Sequence, residues 1–287
     1  MFPLAIPVVL LCSHRAMIKR HQHHRACGWA DFFVTSIMHR FYLPANECEG
    51  LTLTLLGREA HHAAQVLRVR TKEQVAVLDG AGHEIFCEVQ NISRKAVALL
   101  VLKKQFTPPL PYKITLLQAI PKGKIIESIV QKATELGVTR IVPILSERVT
   151  THLDPESATG KLEKWRLTTI EAIKQCGQPW LPQVDAPITP RAFLSGNDRF
   201  ELPLIASLQK GSRPLREYSE AFALGKKRQA QSACVWIGPE GDFSPAETAF
   251  IISAGVLPIT LGRLVLRCET AAIYGLSVLN YEMGSQL

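Results

Sequence analysis

Two short segments in the C-terminal half carry residues whose types and spacing could do chemistry. The first, WIGPEGDFSPAE at 236–247, leaves an apolar stretch through Gly238, Pro239, Glu240 and Gly241. Glycines there let the main chain approach a ligand closely, because they carry no Cβ and reach backbone angles other residues avoid. Ser244, Pro245 and Glu247 then spell a helix start, with a capping serine, a proline at the first helical position and a glutamate three residues on. A tight strand-to-helix turn would use the same residues, so this segment alone leaves turn and ligand site both open. The second, LGRLVLRCETAA at 261–272, sets Arg263, Arg267, Glu269 and Thr270 in an apolar loop before a helix. Charges in such surroundings are costly unless paired. Leu264, Val265 and Leu266 suit a loop only if it is buried or covers an apolar ligand face. A purely structural Arg267–Glu269 ion pair fits equally well.

The elements that must hold these loops alternate. KITLLQAI (113–120) reads as a strand, and KIIESIVQKATELG (124–137) as a helix whose apolar positions recur at helical spacing and which Gly137 ends. TRIVPIL is the next strand and KLEKWRLTTIEAIKQCG the next helix; LPLIASL and ACVWIG are buried strands. PAETAFIISAG (helix), VLPITLG (strand) and CETAAIYGLSVLNYEMG (helix) complete the series. Alternation of this kind predicts an α/β domain, 113–287, with a mostly parallel sheet covered on both faces. Ligands bind such sheets beyond the C-terminal ends of the strands, where both loops lie.

Residues 38–107 read differently. MHRFYLP, LTLTLL (51–56), two strands joined at Asp79-Gly80-Ala81-Gly82, and KAVALLVLKK are short and closely spaced, with one helix from about Glu59 to Val69. This pattern predicts a small β-barrel. TPPLPY (107–112) marks the boundary between the two parts.

The chain has 287 residues, of which 47% are hydrophobic and 20% charged, so it can bury a substantial core. Lysine and arginine number 33 against 25 acids, a balance that suits a polyanionic partner. The longest apolar run, Phe2 to Cys12, is about half the length a membrane-spanning helix needs. Seven scattered cysteines with no C-x-x-C pair argue against a disulfide scaffold or a structural zinc site and fit a reducing compartment. His21, His23 and His24 are too closely spaced for one helix face, and no metal is expected. Residues 1–37 read as a disordered or mis-annotated N-terminal extension, with translation assigned to start too early, and 38–287 as the folded protein. P-loop, G-x-S-x-G and H-E-x-x-H motifs are absent. GAGHEI (80–85) falls in a turn between strands rather than before a helix.

GPEGDFSPAE followed by LGRLVLRCETAA resembles the paired signature of the SPOUT methyltransferases, and most closely the RsmE family of 16S ribosomal RNA uridine N3-methyltransferases. MHRFYLP, HHAAQVLRVR, QAIPKGKIIESIVQKATELGVTRIVPILSERV and KWRLTTIEAIKQCGQPWLPQV extend the resemblance over nearly all of 38–287. It implies a SPOUT-type parallel sheet with a C-terminal trefoil knot, preceded by a PUA- or OB-like barrel that binds RNA. It implies S-adenosylmethionine as methyl donor, held near Leu208, Ile237, Gly238, Gly241, Leu261, Gly262 and Leu266, and a homodimer. The implied partner is 16S rRNA within the small ribosomal subunit, in the cytoplasm.

The implied reaction moves a methyl cation to N3 of a uracil, which must lose its proton. Arg267 is the candidate for stabilising the uracil anion, Glu269 for orienting Arg267 or taking the proton, and Thr270 for bonding the base. Arg40, Arg68 and Arg70 in the barrel, with Lys122, Lys124 and Lys132 near the first helix of the catalytic domain, are the candidate RNA contacts. Two departures from the family pattern stand out: Asp242 where a second glycine is common, and Gln178 where arginine is frequent. A SPOUT enzyme of another RNA site and a non-catalytic assembly protein of the same fold are the competing readings.

Overall fold

The computed structural model describes residues 38–149 and 155–284. The expectation for 1–37, and the histidine cluster within it, lies outside the described residues.

The N-terminal part is a five-stranded sheet. Its strands are β1 (Arg40–Tyr42), β2 (Thr52–Leu56), β3 (Gln74–Leu78), β4 (His83–Ile92) and β5 (Ala96–Phe106), in the order β1-β3-β4-β5-β2. Alternation puts Leu53 and Leu55 inward and Thr52, Thr54 and Leu56 outward. They meet Val75, Val77, Ile85, Cys87, Val89, Val97 and Leu99 in one core. Hydrogen bonds do not close this sheet into a ring, since β1 pairs with β3 and β2 with β5. Its core is capped instead by Ala60 and Ala63 of the helical segment after β2. That segment starts at Gly57 as α1 (Gly57–His61), and widens into a turn with i to i+5 hydrogen bonds over His62–Leu67. Arg68, at φ +55°, stops it by leaving helical space, so the expected helix 59–69 is shorter in regular form than its apolar spacing suggests.

The C-terminal part is a six-stranded sheet of β6 (Lys113–Ala119), β7 (Arg140–Ile144), β8 (Gln183–Val184), β9 (Leu202–Ala206), β10 (Ser232–Ile237) and β11 (Leu257–Ile259). Every pairing is parallel, and the order is β11-β9-β10-β6-β7-β8. Central β10 shows why its sequence is uniformly apolar. Ala233, Val235 and Ile237 face one core, shared with α2 (Ile125–Glu135), α3 (Pro155–Cys176), α5 (Leu215–Lys226) and α7 (Cys268–Gly284). Cys234 and Trp236 face a second core, under α4 (Pro190–Leu194) and α6 (Pro245–Ser253). Strand β8 and helices α4 and α5 were not anticipated. The last strand is shorter than VLPITLG suggests, because the Thr260 hydroxyl turns back to bond the amide of Gly262, at φ +112°.

A buried ion pair fastens β1 to α3. The Lys174 ammonium, 6% exposed, lies 2.8 Å from Glu59 and 2.9 Å from Glu171. The second oxygen of Glu59 accepts from the amide of Tyr42. Removing one partner strands the other charge. Lys174→Met should therefore cost about 3 kcal/mol in urea unfolding, and adding Glu59→Gln should recover most of that loss.

Candidate functional site

Beyond the C-terminal ends of β9, β10 and β11, three loops enclose a cavity of about 400 Å³. Leu208, Ile237, Gly238, Leu261, Gly262 and Leu266 all line it, as do Arg267 and Glu269. Gly241 does not: it lies just past lining residue Glu240, and its carbonyl accepts from the Arg148 guanidinium. Thr270 also falls outside. It is exposed on α7, where Cys268 and Ala271, neighbours on the helix, turn toward the cavity instead.

The loop after β10 folds back so tightly that Gly238 has no room for a side chain. A Cβ there would sit 2.6 Å from Oδ1 of Asp242, and 3.1 Å from the Cα of Asp242 and 3.2 Å from the amide nitrogen of Phe243, so the returning backbone would have to give way by a few tenths of an ångström. Asp242 takes the position where glycine was expected and adopts φ +60°. Aspartate is one of the few residues that enter this region readily, because a short polar side chain can bond locally. Here its Oδ1 accepts from the amide of Phe243 at 2.8 Å. That local bond offsets part of the cost of the left-handed backbone at this position. Ser244 and Glu247 form the expected capping box at the start of α6. The other carboxylate oxygen of Glu247 reaches the amide of Glu147 at 2.8 Å, tying the β7 loop to the same helix start.

Three carboxylates, those of Glu240, Asp242 and Glu269, stand on residues lining the cavity, with Arg267 among them. The structural ion pair between Arg267 and Glu269 is not formed. Glu269 instead accepts from the Cys268 thiol at 3.3 Å. Burial, followed by the bond to Glu269 and its charge, pushes that thiol up to about 12, so it stays protonated as a donor. Arg267 is exposed and free to meet a ligand. The walls between these charges are apolar, with Leu261, Leu264, Val265 and Leu266 lining the cavity. Leu264 and Val265 are 76% and 78% exposed, so this apolar loop is not buried within the chain.

Residues 108–280 match the family described as RNA methyltransferase domain, and 55–102 the RNA methyltransferase PUA domain. The ribosomal RNA small subunit methyltransferase E of Synechocystis is 33% identical over 80% of this chain and 73% of its own length. That of Bacillus subtilis is 28% identical over 82% of this chain and 91% of its own. Among solved structures, a Legionella pneumophila methyltransferase in complex with SAM superposes with a TM-score of 0.77 at 33% identity, covering 84% of this chain and 96% of that one. The Neisseria gonorrhoeae ribosomal RNA small subunit methyltransferase E bound to S-adenosyl methionine gives 0.73 at 30%, with the same coverage. The chain belongs to the RsmE family.

The candidate RNA contacts of this RsmE chain fall into two groups. Arg40 and Lys132 are engaged within the fold, Arg40 with Glu84 at 2.9 Å and Lys132 with Glu135 at 2.9 Å. Arg40 also packs against Gly177, whose Cβ would lie 3.2 Å from the guanidinium carbon. Arg68, Arg70, Lys122 and Lys124 are exposed. Trp165 is buried in the core, and Trp180 packs edge-on to Phe106 while donating to the carbonyl of Thr107. His61 is exposed and His62 packs edge-on against Phe41. Among the described residues no group of acids, histidines and cysteines could hold a metal ion, and no helix is long and apolar enough to cross a membrane.

Sequence reasoning gave no role to Glu240, Arg148 or Cys268. Glu240 was visible only as part of a glycine turn, and Arg148 contacts a residue 93 positions away. The backbone of the loop sets a graded test. Asp242→Gly should leave stability within about 1 kcal/mol, whereas Asp242→Val should cost about 2 kcal/mol, since a branched residue lacks the local bond that offsets φ +60°. Denaturant midpoints of the two variants check this.

Proposed function

We propose that the chain methylates N3 of a specific uridine in the 16S rRNA of the small ribosomal subunit, with S-adenosylmethionine as donor. The observation that carries this reading is the cavity itself. Two glycine-bearing loops, at the ends of parallel strands β10 and β11 on either side of β9, meet around one volume, with Arg267 and Glu269 in its wall. Membership of the RsmE family and the SAM complexes of two structural relatives support it.

The residues present fit this donor. Gly238 and Gly262 leave main chain bare for an adenine edge, while Ile237, Leu261 and Leu266, with Leu208 beyond β9, supply apolar wall. The carboxylates of Asp242 and Glu269 favour a cationic ligand, and a sulfonium is one. When bound, the group supplies an electrophilic methyl. The chain supplies the rest. An RNA uracil entering beside Arg267 would have negative charge on O2 and O4 stabilised by the guanidinium as the N3 proton leaves. Glu269, held by the Cys268 thiol, is placed to accept that proton. Thr270 lies outside the cavity, so its part in this reading is confined to RNA approaching from outside. Gly241 contributes through its carbonyl, which anchors the loop to Arg148.

The reading includes a trefoil knot formed where the 238–242 and 261–267 loops cross, and a homodimer. Tyr274 and Tyr281 stand 49% and 71% exposed on α7, a face a second copy would cover. Of the candidate RNA contacts, Arg68, Arg70, Lys122 and Lys124 have no ion-pair partner among the described residues and can meet RNA phosphates, with Arg40 and Lys132 available only if their acidic partners yield. With a ribosomal substrate, this reading sets the reaction in the cytoplasm.

Methyl transfer from labelled S-adenosylmethionine to small subunits lacking the modification, with mapping of the product nucleoside, tests the proposal. N3-methyluridine at one site is expected. Arg267→Ala should lower kcat by roughly 10²-fold or more, with cofactor affinity kept within a few-fold. Retained turnover in that variant would remove Arg267 from the mechanism. Another methylated nucleoside would remove the assignment to N3.

A further inference from the structure

The loop between β6 and α2 carries Lys122 and Lys124 on either side of Gly123, which sits at φ +67° with open space around it. Both lysines are exposed. The loop ends at Ile125, which lines the cavity. From the facing loop Glu240, also in the cavity wall, sends Oε1 to the main-chain amide of Lys122 at 2.9 Å. The two residues are 118 positions apart. Pro121 is buried, and beyond it this is the hydrogen bond, among the described residues, that ties Lys122 and Gly123 to a distant part of the chain.

The choice of partner is informative. A carboxylate beside two lysines could pair with an ammonium, yet this one takes an amide. The lysines that do form ion pairs among the described residues are Lys132, Lys164 and Lys174. Lys122 and Lys124 are therefore without an ion-pair partner among the described residues, on a loop that runs into cavity-lining Ile125 and whose backbone is held by Glu240.

We propose that Glu240 is a positioning residue for the RNA substrate. Its carboxylate pins the Lys122–Lys124 loop over the cavity mouth, so that both ammonium groups meet RNA phosphates beside the reacting base. The proposal rests on the methyltransferase reading for the identity of the cavity, but its physical content is a hydrogen bond that orders a phosphate-binding loop. Without that bond the loop is free to swing at Gly123, and RNA must restore its order on binding.

The test uses the full chain and a transcript of small-subunit rRNA, with binding measured over a salt series. Glu240→Ala should weaken RNA binding roughly tenfold and make the salt dependence shallower by about one phosphate contact. KM for small subunits should rise by a larger factor than kcat falls. Glu240→Gln should restore RNA binding, because its amide oxygen can accept from the same N–H. In a chain already carrying Lys122→Ala and Lys124→Ala, Glu240→Ala should add less than twofold, since the lysines it positions are gone. Full additivity in that background overturns the proposal. So does a Glu240→Gln variant as impaired as Glu240→Ala, with cofactor affinity lost in both; that would make Glu240 a charge contact of the donor. RNA binding with this pattern but no methyl transfer would sink the enzymatic reading and leave the positioning role standing. A wild-type chain that binds no RNA sinks both.

Discussion

The absence of space at Gly238 is the constraint on which the site depends. The chain leaves β10 and returns so closely that the backbone of Asp242 and Phe243 occupies the place of a side chain. That return brings Ser244 directly into its role as cap and starts α6 in the next residue. Glu247, three residues on, then joins the helix start to the loop after β7. The loops after β6, β7 and β10 are thus hydrogen-bonded to one another through Glu240, Arg148 and Glu247. A cavity walled by loops is held by strand-end contacts instead of by loop stiffness.

Charge is sorted across the same few ångströms. Acidic residues line the cavity, and two exposed lysines stand on the neighbouring loop that Glu240 binds. A cation inside and a polyanion outside would each meet the opposite sign, although the chain as a whole is basic. Net charge alone pointed only to the outer partner. The inner preference comes from which short loops the fold brings together.

Much of the scaffold was legible because its periodicities are strong. The buried runs of β6, β9 and β10 and the helical spacing of α2 left little choice, and glycines at 137 and 177 with positive φ end α2 and α3 where expected. What escaped is physically weak in sequence. Strand β8 has two residues, α4 has five, and α5 buries only Leu215 and Ser219, too few for a stripe. Within the site, the candidate residues on the two loops line the cavity where the backbone faces it. Thr270 stays outside because helical rotation carries its neighbours Cys268 and Ala271 inward. Glu240 and Arg148 were missed for another reason: their partners are Lys122 and Gly241, and only the fold brings them close.

The widened turn over His62–Leu67 bears on how this family can change length. Such a turn holds one residue more than a regular helix of the same rise would use. Loss of a single residue there could be absorbed by relaxation to ordinary helical geometry, with Ala60 and Ala63 still over the core. The same loss within β4 would send every later side chain of that strand to the opposite face. Insertions and deletions among relatives should therefore collect in the segment after β2 and avoid the strands on either side, making that turn a reservoir of tolerated length variation.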